Sequence, residues 1–357
     1  MFSYCCRTFS SSAEPRKSSV TIRVEQYLSN LPKADQVIAS GVEDRSNQIL
    51  RPTGALARLD EIAIFVASWQ QTLNPQVLNP KILIFASNHG ISDAGVSNYP
   101  SDITEAMVNA FQNGVSSINA IGRLVNAEVD VIDVGVKAPT KDFRYEDSMT
   151  SEEFEVAFFQ GVEAVNALET DLLVLGEMGI GNTSSAAAVA AATFNDRAMR
   201  WVGRGTGVDD EGFERKKAAV EDGLERVRKN QSQNHWLDLL RRLGGKEMVS
   251  IAGAAVAARH RRIPVLLDGY VVASSLAPIW KHNNEALDHC WAGHRSSEPG
   301  HARLLREFGL EPILELDLRL GEGSGAAAAV PLVQMACALV SEVPTFDEYL
   351  RTRREKL

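Results

Sequence analysis

From residue 81 onward the chain alternates short β-rich runs with helical stretches, and the runs end in glycine-bearing loops. Six runs stand out: Lys81–Ala86, Val129–Val134, Leu172–Leu175, Arg200–Val202, Pro264–Leu267 and Pro312–Leu316. Strands separated by helices must be joined by crossovers, which are right-handed in nearly all proteins. The pattern therefore predicts an α/β fold with a mostly parallel sheet, helices on both faces, and ligands at the carboxyl ends of the strands.

Ahead of this region, apolar residues recur at helical spacing through Val24–Leu31, Ala34–Leu50 and Ala55–Leu73, with Pro32 and Pro52 as interruptions, so residues 20–80 read as a helical section. An α/β unit follows over 81–340 and a helical segment over 341–357. Residues 1–19 differ in composition: Arg7, Arg16 and Lys17 face a single acid, Glu14, among many serines. That resembles an organelle transit peptide, mitochondrial in preference to plastid or cytoplasmic.

A formal net charge of -9 argues against a nucleic-acid binder, which carries a basic face, and favours a small-molecule ligand. The longest apolar region, Ala326–Val340, is short for a bilayer span and holds Pro331 and Gln334, so no membrane helix is expected. Cys5 and Cys6 lie in the leader, and Cys290 and Cys337 lack zinc-type spacing; reduced structural thiols are expected. Lys137–Thr150 reads as a surface loop and Glu221–Gly244 as a solvated helix.

Three glycine-rich loops carry the candidate chemistry. In Arg319-Leu320-Gly321-Glu322-Gly323-Ser324-Gly325, a carboxylate sits among glycines just before an Ala-rich helix. Glycines let backbone approach a ligand, and the helix start offers unpaired N–H groups. Glu322 is either a positioned general base or a first-turn acid favoured by the helix dipole. The loop Gly176-Glu177-Met178-Gly179-Ile180-Gly181-Asn182-Thr183-Ser184 has P-loop glycine spacing, but Asn182 stands where the lysine would be, which suits a single phosphate better than a triphosphate. The third, Gly203-Arg204-Gly205-Thr206-Gly207, leads to Arg215, Lys216 and Lys217, one of which could meet that phosphate. Asp209, Asp210 and Glu211 fit helix capping better than a cation site. Asp268, at a strand end, is a ligand or a cap; His294 and Ser296 are phosphate candidates; Glu298 reads equally as a helix-start residue. His89, after Ser87-Asn88, reads as scaffold.

Together these segments resemble the nicotinate-nucleotide:dimethylbenzimidazole phosphoribosyltransferases. The likeness runs from Arg51-Pro52-Thr53-Gly54-Ala55-Leu56-Ala57-Arg58-Leu59-Asp60 through Asn88-His89-Gly90, Gly95-Val96-Ser97, the loops at 176 and 203, Pro264–Gly269 and Gly293–Gly300 to Arg319–Ala327. It implies a Rossmann-like, doubly wound six-stranded sheet, a small helical domain built from both chain ends, and a homodimer. It further implies transfer of the 5-phosphoribosyl group from nicotinate mononucleotide to a benzimidazole-type base, without metal or redox cofactor. Carried over by motif, Glu322 becomes the general base and Glu177 assists at the ribose or the leaving nicotinate. Gly181, Asn182, Thr183, Gly205 and Lys216, with Asp268 and Ser296, would hold phosphate and ribose. Tyr99, Met107 and Leu320 would line the base pocket. Asn88 stands where many members have Asp, and Tyr99 and Met107 replace residues polar in some relatives, which bears on which base is accepted. The rivals are a phosphoribosyltransferase for another base and a non-catalytic nucleotide-binding homologue.

Overall fold

The computed structural model describes residues 19–229 and 236–355; the leader read over residues 1–19 lies almost wholly outside them. Five strands form one sheet: β1 Pro80–His89, β2 Glu128–Thr140, β3 Leu172–Met178, β4 Val265–Leu267 and β5 Cys290–Ala292. Their order is β2-β1-β3-β4-β5 and every neighbouring pair is parallel. The chain leaves β1 toward β2 and returns to β3 on the opposite side, a doubly wound sheet whose order reverses at β1/β3. Loops following these two strands diverge there and leave a crevice at the carboxyl ends.

Period-two side-chain alternation shows in how the strands divide between two cores. Leu83, Phe85, Leu173, Leu175, Val265 and Leu267 face helices Ser151–Asn166, Asn182–Thr193, Lys246–His260 and Tyr270–His282. The intervening Ile82, Ile84, Leu172, Val174 and Leu266 face helices Ala57–Gln70 and Ser324–Glu342. Burial on both faces explains the near-continuous apolar runs of these strands.

The expectation of six strands is corrected to five. Arg200–Val202 is not a strand: Ala198–Arg200 makes one 3-10 turn, and Trp201 is buried by stacking on Phe194 with ring centroids 5.4 Å apart. Its β-type side chains serve packing, a use that propensity does not distinguish from pairing. Pro312–Leu316 makes a single bridge, between His294 and Leu314. The sequence reading passed over β5, which is three residues long and too short to show alternation.

Lys137–Thr150 is not simply a surface loop either. Strand β2 continues to Thr140, and Phe143, Ser148 and Met149 are buried. Asp147 anchors the segment by ion pairs to Arg226, Arg241 and Arg242 at 2.7–3.0 Å. The solvated helix expected over Glu221–Gly244 comprises the end of Asp210–Lys229 and a second helix, Trp236–Leu243, and both bury an apolar face.

The chain ends meet. Ile49 and Thr345 form an antiparallel bridge, the Leu50 N–H donates to the Pro344 carbonyl at 2.9 Å, and the Arg45 guanidinium donates to the Val340 carbonyl at 2.8 Å. Helix Ser324–Glu342 is long and apolar enough to cross a bilayer. Here its Ala326, Ala327, Val330, Val333 and Cys337 are instead buried against the sheet and helix Ala57–Gln70. Cys290 and Cys337 are buried free thiols.

Candidate active site

Three glycine loops converge at the carboxyl edge of the sheet. Gly176 lies inside β3, and a Cβ there would sit 2.5 Å from the Gly323 amide nitrogen. Its role is to admit the backbone of the Glu322 turn; it is not the start of a phosphate loop, since β3 continues to Met178. Gly321, Glu322 and Gly323 all occupy the left-handed region, at φ of 86°, 64° and 81°. For glutamate that conformation is uncommon, and such outliers cluster at sites where surrounding structure fixes them.

Asp268 does the fixing. Its carboxylate accepts from the N–H groups of Gly323 at 3.2 Å, Gly325 at 2.9 Å and Ala326 at 3.0 Å, capping helix Ser324–Glu342. His294 Nε2 stands 3.2 Å from Asp268 Oδ1. Burial opposes the charge, but His294 and the backbone N–H groups of Ala326 and Gly269 hold the Asp268 carboxyl below the usual range. With its oxygens thus engaged, Asp268 builds the turn; the alternative reading of a phosphate or ribose ligand is not what the geometry shows.

Glu322 is 5% exposed and its Oε2 has no hydrogen-bond partner among the described residues. Burial first, and the Asp268 charge second, push its carboxyl up to about 7. Glu177 is pushed up to about 8 by burial, then by the charges of Asp268 and Glu247, while a hydrogen bond from the Asn182 amide works the other way. Glu247 belongs to a buried network beneath: it accepts from the Ser87 hydroxyl and lies 2.8 Å from His89 Nε2, while His89 Nδ1 meets the Ser185 hydroxyl at 3.0 Å. His89 is thus scaffold, as read from the sequence.

Two cavities adjoin along Met178, Ile180, Thr206, Arg319 and Leu320. One, about 110 Å³, is lined by Glu177, Asn182, Thr183, Gly205, Ser296 and Glu298. Behind it the ammonium of Lys216 donates to Thr183 Oγ1 at 2.8 Å. Lys216 is 1% exposed, and burial, partly offset by Glu298, pulls its pKa down to about 8. Gly181, at φ 94°, is the cap of helix Asn182–Thr193; the Asn182 and Ser184 N–H groups donate to the Gly179 and Gly181 carbonyls at 3.2 and 3.0 Å, which leaves the Thr183 N–H as the helix-start donor beside the Thr183 hydroxyl. Glu298, which the sequence left undecided, accepts from the Gly205 N–H at 2.8 Å and so holds the third loop. Ser296 reaches the cavity wall, but its hydroxyl and its backbone N–H both point to His301 Nδ1 at 3.0 Å. Burial drives the His301 ring down to about 3, which keeps that nitrogen an acceptor.

The other cavity, about 810 Å³, is lined by Tyr99, Ile103, Met107, Leu318, Leu320 and Glu322. The two carboxylates thus line different spaces: Glu177 the smaller one, with Asn182 and Thr183, and Glu322 the larger one, with Tyr99, Met107 and Leu320. Tyr99, Met107 and Leu320 line this one cavity together. Asp209 caps helix Asp210–Lys229 by accepting from the Gly212 N–H at 2.8 Å. Arg215 instead donates to the Gly95 carbonyl at 3.0 Å. Sequence reasoning missed Glu247, whose only signal was an acid at the start of an otherwise apolar helix. It also named Arg319 within its motif without giving it a role.

A family model described as phosphoribosyltransferase matches residues 31–349. The chain is 44% identical over 321 residues to a nicotinate-nucleotide–dimethylbenzimidazole phosphoribosyltransferase from Ruegeria sp. (strain TM1040), covering 90% of this chain and 94% of that protein. It is 43% identical over 325 residues to one of the same name from Methylocella silvestris, covering 91% and 94%. A solved structure of CobT from Thermus thermophilus superposes with a TM-score of 0.83 at 36% identity, covering 88% of this chain and 98% of that one. These relatives are bacterial, and bacteria have no mitochondrion or plastid to import into. The organellar address read from residues 1–19 is corrected accordingly.

Proposed function

The chain belongs to the nicotinate-nucleotide:dimethylbenzimidazole phosphoribosyltransferase family, and from that premise we infer that its two adjoining cavities transfer a 5-phosphoribosyl group from nicotinate mononucleotide to 5,6-dimethylbenzimidazole. The products are α-ribazole 5′-phosphate and nicotinate. The observation that carries this reading is the placement of Glu322, a buried carboxyl near neutrality, in the wall of a large, mostly apolar cavity beside a smaller one lined by Thr183, behind which Lys216 lies.

The nucleotide's phosphate rests against Thr183, the Gly205 loop and the Lys216 ammonium, at the start of helix Asn182–Thr193. The flat base enters between Tyr99, Met107 and Leu320. Glu322 removes the base's N–H proton, and the opposite ring nitrogen attacks the anomeric carbon as the bond to nicotinate breaks. The nicotinate nitrogen keeps the bonding pair and departs uncharged, with inversion at carbon. A carboxyl near 7 is half ionised at neutral pH, a good match for general-base work. Glu177 stands on the nucleotide side. The pyridinium of the bound substrate favours its ionised form, and that charge stabilises the cationic sugar as the bond opens.

Incubation of the purified protein with nicotinate mononucleotide and 5,6-dimethylbenzimidazole should yield a product with the mass of α-ribazole phosphate. No product from this pair, with turnover of another base, would move the assignment to the broader phosphoribosyltransferase reading. A homodimer is part of the proposal, and sedimentation velocity over a concentration series tests it.

A further inference from the structure

Resting on the reading above, a substrate with a phosphate at one end and a ring carboxylate at the other needs two cationic contacts. The inner one is Lys216, enclosed behind Thr183. Among the residues lining either cavity, Arg319 is the only lysine or arginine, and it borders both of them. The other lining charges are acidic: Glu177, Glu298, Asp317 and Glu322. An anionic leaving group would meet net repulsion there without a guanidinium.

Arg319 is also uncommitted. It makes no hydrogen bond or ion pair with another described residue, whereas Arg204 and Arg215, from the third glycine loop and the helix after it, are engaged by Asp210 and the Gly95 carbonyl. Its Nη1 lies near Gly207, 3.6 Å from where a Cβ would stand, on the loop that follows the phosphate-side Gly205. Arg319 is exposed, so it can adjust to a ligand and regain its solvent on release.

We propose that Arg319 is the specificity residue for the ribosyl donor: its guanidinium grips the carboxylate of the leaving pyridine base and so selects an acid over the corresponding amide. A planar five-donor fork matches a carboxylate through two parallel hydrogen bonds, and a carboxamide can accept only part of that pattern.

The test measures dissociation constants of nicotinate mononucleotide and nicotinamide mononucleotide by calorimetry for the wild type and Arg319→Gln, with donor kcat/KM alongside. The variant should bind the nicotinate nucleotide roughly 10- to 100-fold more weakly, the size of one charge-assisted contact. Its affinity for the nicotinamide nucleotide should not change. An equal loss for both donors would put the guanidinium on their shared phosphate, and no loss for either would remove it from recognition; both outcomes overturn the proposal. If the wild type forms no ribazole phosphate, it is the assignment of the reaction that fails, independently of Arg319.

Discussion

The backbone N–H of Glu322 donates to the carbonyl oxygen of Glu177 at 3.2 Å. The two acids are therefore joined by main chain, at a place where β3 and the last glycine turn touch through Gly176. Their side chains diverge into separate cavities, so one can meet the incoming base while the other meets the ribose. That contact fixes the spacing of the two backbones, and each carboxylate is then placed by its own side-chain rotamer.

Glu322→Gln should fold and bind nicotinate mononucleotide, since the amide keeps the size and the backbone donor of the original. Turnover should fall about a hundred- to ten-thousand-fold, the range for loss of a general base. The pH profile offers a second reading. In the proposed role Glu322 acts when ionised, so wild-type kcat should rise with pH through about 7 and level off above it. That limb should be missing in the variant.

Glu177→Gln tests the cost of enclosing an acid. The folded-state value of about 8 lies above the ordinary 4.5, so the folded protein binds more protons than the unfolded chain between these values. Stability then falls as pH rises through that window and is flat beyond it. The substitution should leave Tm unchanged near pH 4 and raise it by on the order of several degrees at pH 9. Scanning calorimetry across that range reads the difference; a gain independent of pH would contradict the account.

Lys216→Met removes the inner cation. The KM for nicotinate mononucleotide should rise roughly 10- to 100-fold, as expected for a hydrogen bond to a charged group. In the wild type, the ammonium is present at neutral pH and is lost as pH climbs through about 8. Affinity for the nucleotide should decline over that interval, and the variant should show no such decline.

Gly176→Ala would place a methyl 2.5 Å from the Gly323 nitrogen, against backbone that cannot rotate away. The expected loss is about 1–3 kcal/mol, typical of overpacking. Because the displaced segment carries Glu322, kcat should fall further than stability alone predicts.

Sequence pattern revealed the parallel α/β architecture because strands buried on both faces must be apolar, and β1, β3 and β4 are. It failed at Trp201-Val202, where the same side chains fill a core beside a single turn. It failed again at β5, where register against β4 makes a strand from three residues. Glycines around Glu322 were visible as a sharp turn, and the acid among them could be picked out. Which glycines touch ligand and which touch backbone was not visible: Gly176 and Gly181 look alike in sequence, yet one abuts another loop and the other caps a helix. Likewise the Glu247 and His89 pairing joins residues 158 positions apart, a distance over which local spacing carries no information.

Asp268 shapes the turn beneath Glu322 and is also the nearby charge that raises its proton affinity. Architecture and acidity at this corner thus hang on one side chain. Asparagine there would withdraw the negative field and weaken the helix cap together, so drift at position 268 cannot retune the base without disturbing its placement. A lineage adapting this enzyme to a more or less acidic azole would have to alter the apolar wall around Glu322 and leave that anchor alone.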